Sequence, residues 1–129
     1  MKKEQLKKLI DVAMKRIPAD LVLKNASVID IFTGEIVEGD IAVSDEWIAG
    51  VGSYEGVKEI DAGNLFASPG LIDSHIHIES SYLTPEEFGS LVVPHGTTTL
   101  IADPHEIVNV NGFDAMEYMI KAGERTALD

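Results

Sequence analysis

His75 and His77 stand two residues apart in the run Pro69-Gly70-Leu71-Ile72-Asp73-Ser74-His75-Ile76-His77. In an extended strand, alternate side chains share a face and lie about 7 Å apart along the backbone, so both imidazoles can converge on one ion. Zn²⁺ and related divalent metals take imidazole nitrogen at about 2.0–2.1 Å, and a catalytic site keeps a coordination position for water. The spacing alone does not separate a metal pair from two unrelated polar residues at a strand end. The flanks favour the metal: Leu71, Ile72, Ile76 and Ile78 predict a mostly buried strand, in which polar groups need partners.

A second group of metal-binding or proton-handling side chains, Asp103, His105 and Glu106, follows the apolar run Leu100-Ile101-Ala102. If that run is a parallel neighbour of the first strand, about 4.8 Å away, the cluster opens onto the face that carries the histidines. The competing reading is that Asp103 and Glu106 cap the next helix and His105 is solvated. Glu79 shares the histidine face if the strand runs on two more residues. It is then open to three roles, as a ligand, as a support for a ligand or, with Ser80, as a substrate contact. His95, before Gly96 at the far end of the second strand, is read as structural or solvated.

The elements that must position these residues change character twice along the chain. Leu6, Leu9, Ile10, Ala13, Met14 and Ile17 recur at helical spacing before Pro18, which predicts an amphipathic packing helix over residues 1–18. From 19 to 68, short β-branched runs alternate with turn residues (Leu21 to Ile31, Ile36 to Ser44, Trp47 to Val51, Val57 to Ile60), which reads as a small antiparallel β unit. From 69 to 129 the order is strand (Leu71 to Ile78), helix (Thr84 to Val93), strand (Thr97 to Ala102), helix (Gly112 to Ala122). Thr84, Pro85 and Glu87 form a capping signature for the first of these helices. Strand, helix, strand, helix implies parallel pairing, and the fold class is α/β.

The chain has 129 residues, 45% of them hydrophobic, enough for one ordinary soluble domain with a core. Ten Lys and Arg against 22 Asp and Glu give a net charge of −12, which repels phosphate backbones and anionic lipid, so neither nucleic acid nor membrane is an expected partner. The charged N-terminus lacks the apolar run of a signal peptide, and a cytoplasmic location is the default expectation. There is no cysteine, so any metal must be held by imidazole and carboxylate.

The run from Pro69 to His77 resembles the first-strand signature of the amidohydrolase superfamily, whose members combine a (β/α)₈ barrel with a small β-sandwich built partly from N-terminal residues. The continuation His77-Ile78-Glu79-Ser80-Ser81, with Pro94-His95-Gly96-Thr97-Thr98-Thr99 and Ala102-Asp103-Pro104-His105-Glu106-Ile107, resembles the adenine deaminase branch. The resemblance implies an N-terminal helix and β-sandwich portion followed by the first two βα units of an incomplete TIM-like barrel. It implies His75 and His77 as ligands of a two-metal centre holding Mn²⁺, Fe²⁺ or Zn²⁺. It puts Asp103, His105 and Glu106 in catalytic positions, with the general acid unresolved, and Glu79 and Ser80 at the substrate. The implied reaction is hydrolysis of adenine to hypoxanthine and ammonia by metal-activated hydroxide, in purine salvage, by a homo-oligomer of the full-length protein.

A (β/α)₈ barrel takes about 250 residues, and the stretch after Pro69 has room for two of its eight units. The expectation is therefore a fragment, inactive alone and prone to self-association through open sheet edges, with the activity in its parent. Three other readings stand beside this one. One is a related hydrolase acting on a cyclic amide, as a dihydroorotase does; another is a non-catalytic interaction module whose histidines are relics; the last is a regulatory metal-binding domain in which the two histidines and Asp103, His105 or Glu106 complete a shell alone.

Overall fold

The computed structural model describes all 129 residues, in two units, Met1–Pro69 and Gly70–Asp129. In the first, helix α1 spans Lys3–Ala13 and stops short of Pro18, where helical spacing placed its end. Lys15 adopts the left-handed conformation at φ 58°. Its N–H bonds Val12 O at 2.8 Å, and that of Arg16 bonds Asp11 O at 2.8 Å. These are the two bonds of a Schellman stop, usually made around glycine; with lysine at the turn, the sequence carries no signal for it. Leu6, Ile10 and Met14 are about half exposed, while Val12 is fully buried.

Five strands follow: β1 (Ala19–Asp30), β2 (Glu35–Ser44), β3 (Trp47–Gly52), β4 (Gly56–Asp61) and β5 (Phe66–Ala67). Their order is β3-β2-β1-β4, with β5 also on β1. The β1–β2 and β2–β3 pairs are antiparallel as expected, whereas β4 and β5 run parallel to β1. The expectation of a wholly antiparallel unit is thus corrected to a mixed sheet. The cause lies in the link between β3 and β4, which is not a hairpin turn. It lays Tyr54 over the core formed by Val12, Ala19, Val22 and Ala42. Gly50 makes room for this, since a Cβ there would collide with Tyr54 Oη.

Two polar groups pin the arrangement. Asp40, 7% exposed, accepts from Lys24 Nζ at 2.6 Å, Tyr54 N at 3.1 Å and Asn25 N at 3.2 Å. Asn25, at φ 57°, sits where the β1–β2 register slips between Leu23 and Ala26. Lys8 on α1 reaches Asp20 at 2.7 Å and Asp45 at 2.9 Å, tying the helix to the sheet.

The second unit runs β6 (Leu71–Ile76), a 3₁₀ turn (Ile78–Ser81), α2 (Pro85–Val92), β7 (Thr97–Ala102) and α3 (His105–Gly123). β6 and β7 are parallel, which matches the strand-helix-strand reading. Ile78, Ala115, Met119 and Ala122 are its buried apolar residues. β6 pairs only with β7, so Leu71 and Ile72 are exposed, against the expectation of a mostly buried strand. No helix of the chain is long and apolar enough to cross a membrane.

The start of α2 is the capping box read from sequence. Thr84 Oγ1 accepts from Glu87 N at 3.3 Å, and the Glu87 carboxylate turns back to the Thr84 N–H at 3.5 Å. Thr84→Ala should destabilise the protein by about 1 kcal/mol in urea unfolding, with Thr84→Ser close to wild type. α3 begins seven positions before the helix expected from Gly112, because a first helical stretch, His105–Asn111, precedes a break at Gly112 (φ 63°, ψ −148°). Only glycine holds that conformation without strain, and a Cβ there would meet nothing within 4 Å. Gly112→Ala should therefore cost about 1–3 kcal/mol through backbone strain alone. A neutral result in the same unfolding assay would show that the break is not maintained in solution.

Candidate metal centre

β6 ends at Ile76, so His75 and His77 fall at its carboxyl end, and β7 delivers Asp103 directly beside them. Asp103 N donates to Ile76 O at 2.9 Å, extending the parallel ladder by one bond. The potential ligand atoms of His75, His77 and Asp103 all lie within 4.8 Å of one another. Two donors on one divalent ion at ~2.1 Å are at most about 4.2 Å apart, so small side-chain rotations would bring this set onto an ion. Imidazole and carboxylate are also the donor types that a cysteine-free chain must use.

The tautomer of His77 follows from its partner. Its Nδ1 lies 2.6 Å from the main-chain oxygen of Asp103, and a carbonyl only accepts, so Nδ1 carries a proton and in the neutral ring Nε2 keeps its lone pair. The bond to that carbonyl raises the pKa of His77, helped by the charges of Asp103, Glu106 and Glu79 and opposed by desolvation. His105 Nδ1 lies 3.0 Å from Asp103 Oδ2, a bond that holds the Asp103 carboxyl below the usual carboxylate range. The His77 ring packs edge-on between two others, 4.9 Å from His75 and 4.5 Å from His105.

Glu79 is not on a continuing strand, as the sequence reading required, because the backbone turns into the 3₁₀ segment after His77. Its carboxylate nevertheless faces the second cluster: Oε1 accepts from Glu106 N at 3.1 Å and Ile107 N at 3.4 Å. Ser80 Oγ donates to Glu106 Oε2 at 2.6 Å. Thus His75, His77, Asp103 and His105 are brought together, with Glu79, Ser80 and Glu106 bonded alongside; His95 is exposed at the opposite end of β7.

Sequence reasoning missed two parts of this arrangement. The orienting group for His77 is a main-chain carbonyl, which no side-chain pattern reveals. The helical stretch that carries His105 and Glu106 was expected only under the competing reading of a helix cap, and its N-cap is Pro104 rather than Asp103.

Residues 66–129 match the amidohydrolase family profile. Over its whole length the chain is 60% identical to adenine deaminase 2 of Desulfotalea psychrophila and 54% identical to adenine deaminase of Ligilactobacillus salivarius. The chain belongs to the amidohydrolase family. Adenine deaminase of Archaeoglobus fulgidus is 54% identical over 97% of the chain. In each of these three proteins the matched part is 22% of the relative, so this amidohydrolase chain spans about a fifth of their length. Among solved structures, the L-hydantoinase (dihydropyrimidinase) of Arthrobacter aurescens superposes with a TM-score of 0.52 at 30% identity. That match covers 67% of this chain and 21% of the hydantoinase. Amidohydrolases are generally metal-dependent, and the His75-His77-Asp103 cluster gives this one a suitable donor set.

Proposed function

We propose that the protein to which this chain belongs hydrolyses adenine to hypoxanthine and ammonia. The observation that carries the reading is the convergence of His75, His77 and Asp103 at strand ends in a chain 50–60% identical to several adenine deaminases. His75 and His77 are the proposed ligands of a centre holding two divalent ions, Mn²⁺, Fe²⁺ or Zn²⁺. When bound, such a cation supplies Lewis acidity and lowers the pKa of water towards ~7.

The chain's own residues orient donors and handle protons. The Asp103 carbonyl fixes the His77 ring with Nε2 free, and the Asp103 carboxylate is held ionised beside His105. Replacement of the amino group at C6 needs a proton for the departing ammonia, and Asp103, His105 and Glu106 are the proposed groups that relay it. Glu79 and Ser80 are assigned to the substrate side, beside the Glu106 carboxylate that Ser80 Oγ bonds. Cytoplasmic purine salvage by a homo-oligomer is the setting this reading implies.

The fold reading extends in the same way. Residues 19–68 are the proposed N-terminal share of a β-sandwich, and 69–129 the first two βα units of a (β/α)₈ barrel, with 1–18 as a leading helix segment. Asp129 N donates to Thr98 O and Asp129 O accepts from Leu100 N, both at 2.9 Å. That is the hydrogen-bond pattern of a further parallel strand starting on the free side of β7, and it supports the barrel reading.

The likeness to L-hydantoinase favours one rival, a cyclic-amide hydrolase. The two are separated by loading the full-length protein with Mn²⁺ and following product from adenine and from dihydropyrimidines. Hypoxanthine from adenine alone is the expected result. Ring opening of a dihydropyrimidine without adenine turnover would replace the deaminase reading.

A further inference from the structure

We infer that Glu79 is a positioning residue, whose Oε1 supplies from outside the helix the N-terminal cap that α3 cannot make for itself. This inference rests on the metal-dependent reading above only for what the positioned groups do.

Pro104 occupies the N-cap of α3 and makes no side-chain cap bond, since its ring carries no acceptor. The first helical bond is Val108 N to Pro104 O at 3.1 Å, which leaves the N–H groups of His105, Glu106 and Ile107 outside the helical ladder. Glu79 Oε1 takes two of them, those of Glu106 and Ile107. These are the second and third helical positions, the ones an N-cap side chain ordinarily serves. A carboxylate there also meets the positive end of the helix dipole.

The need for outside support follows from Gly112. Its non-helical dihedrals isolate the stretch His105–Asn111 from the rest of α3. A helix that short, far below the ~12–15 residues at which isolated helices become marginal, depends on tertiary contacts. The stretch begins with His105, which bonds the Asp103 carboxylate, and Glu106, which accepts from Ser80. Asp103 in turn orients His77 through its carbonyl. Glu79 therefore acts on the metal centre at one remove, by setting where the first turn of α3 stands. Its Oε2 is buried without a hydrogen-bond partner, so one oxygen of the carboxylate does the capping.

Charge and reach can be separated by substitution in the full-length protein. Glu79→Gln keeps the reach and an acceptor oxygen without the charge, whereas Glu79→Asp keeps the charge and shortens the reach. The readouts are Mn²⁺ affinity and amide hydrogen exchange in peptides covering residues 103–112, neither of which needs adenine. Glu79→Gln is expected to keep protection and metal affinity within about fivefold of wild type, losing only the share of the helix dipole. Glu79→Asp and Glu79→Ala are expected to lose protection in that segment alone and to bind Mn²⁺ about 10- to 100-fold more weakly. The reverse order, with Asp preserved and Gln impaired, would make the charge the essential feature and overturn the assignment. Wild-type behaviour of all the variants would overturn it as well. If Glu79→Ala fails to fold, the Gln and Asp pair still decides. A wild-type protein that binds Mn²⁺ but leaves adenine intact would refute the deaminase reading while leaving these readouts in force.

Discussion

Replacing His77 with asparagine in the full-length protein should lower adenine turnover by more than about 100-fold, because loss of a ligand exceeds the 10- to 100-fold cost of losing a group that merely supports one. Asparagine is chosen because its amide can still donate to the Asp103 carbonyl while offering no imidazole Nε2. A loss of function then reports the missing lone pair and not a collapsed loop. Bound metal per chain should fall in parallel. Chelation of the wild-type protein should reproduce the loss, and added Mn²⁺ should reverse it in wild type but not in the variant. The urea midpoint should move little, since the His77 ring is only partly buried and its one hydrogen bond is conserved by the substitution. Asparagine at 77 with wild-type metal content and turnover would remove His77 from the centre and undo the site proposed here.

What could be read in advance was whatever is encoded locally. The capping box at Thr84 and Glu87 declares itself within four residues. The pairing of His75 and His77 was legible because a strand has a period of two. The remainder depends on contacts between residues far apart in the chain, or on backbone conformations that side-chain type does not announce. Lys15 ends α1 at a positive φ that the helical spacing through Ile17 contradicts. β4 runs parallel to β1 because Tyr54 crosses the core, and nothing in Val57 to Ile60 encodes a direction. Glu79 was placed near the site for the wrong geometric reason. The strand stops before it, and what brings its carboxylate to the second cluster is a pair of amides on α3, 27 and 28 residues away.

Asp40 is the other position where one substitution should have a large effect, this time on the first unit. A single buried carboxylate accepts two main-chain N–H groups, from the bulge at Asn25 and from the crossing link at Tyr54, as well as the Lys24 ammonium. Asp40→Ala leaves those two amides without their acceptor and should destabilise the unit by about 2–3 kcal/mol, with Asp40→Asn intermediate because it retains one acceptor oxygen. The pH dependence carries a second signature. The Lys24 ammonium holds the Asp40 carboxyl below the ordinary carboxylate value, with the two amides adding to the effect against desolvation. A carboxyl with a depressed folded-state pKa stabilises the fold fully above its unfolded value near ~3.9, and that stability is lost as pH falls through the lower folded value. Asp20 beside Lys8 and Asp61 beside Asn25 shift in the same direction. Urea midpoints of the wild type should therefore fall from pH 5 towards pH 3. In Asp40→Ala the fall should be shallower, so that the two proteins differ most at neutral pH and converge in acid. Parallel curves over that window would mean that Asp40 titrates alike folded and unfolded, and that its network with Lys24, Asn25 and Tyr54 does not form in solution.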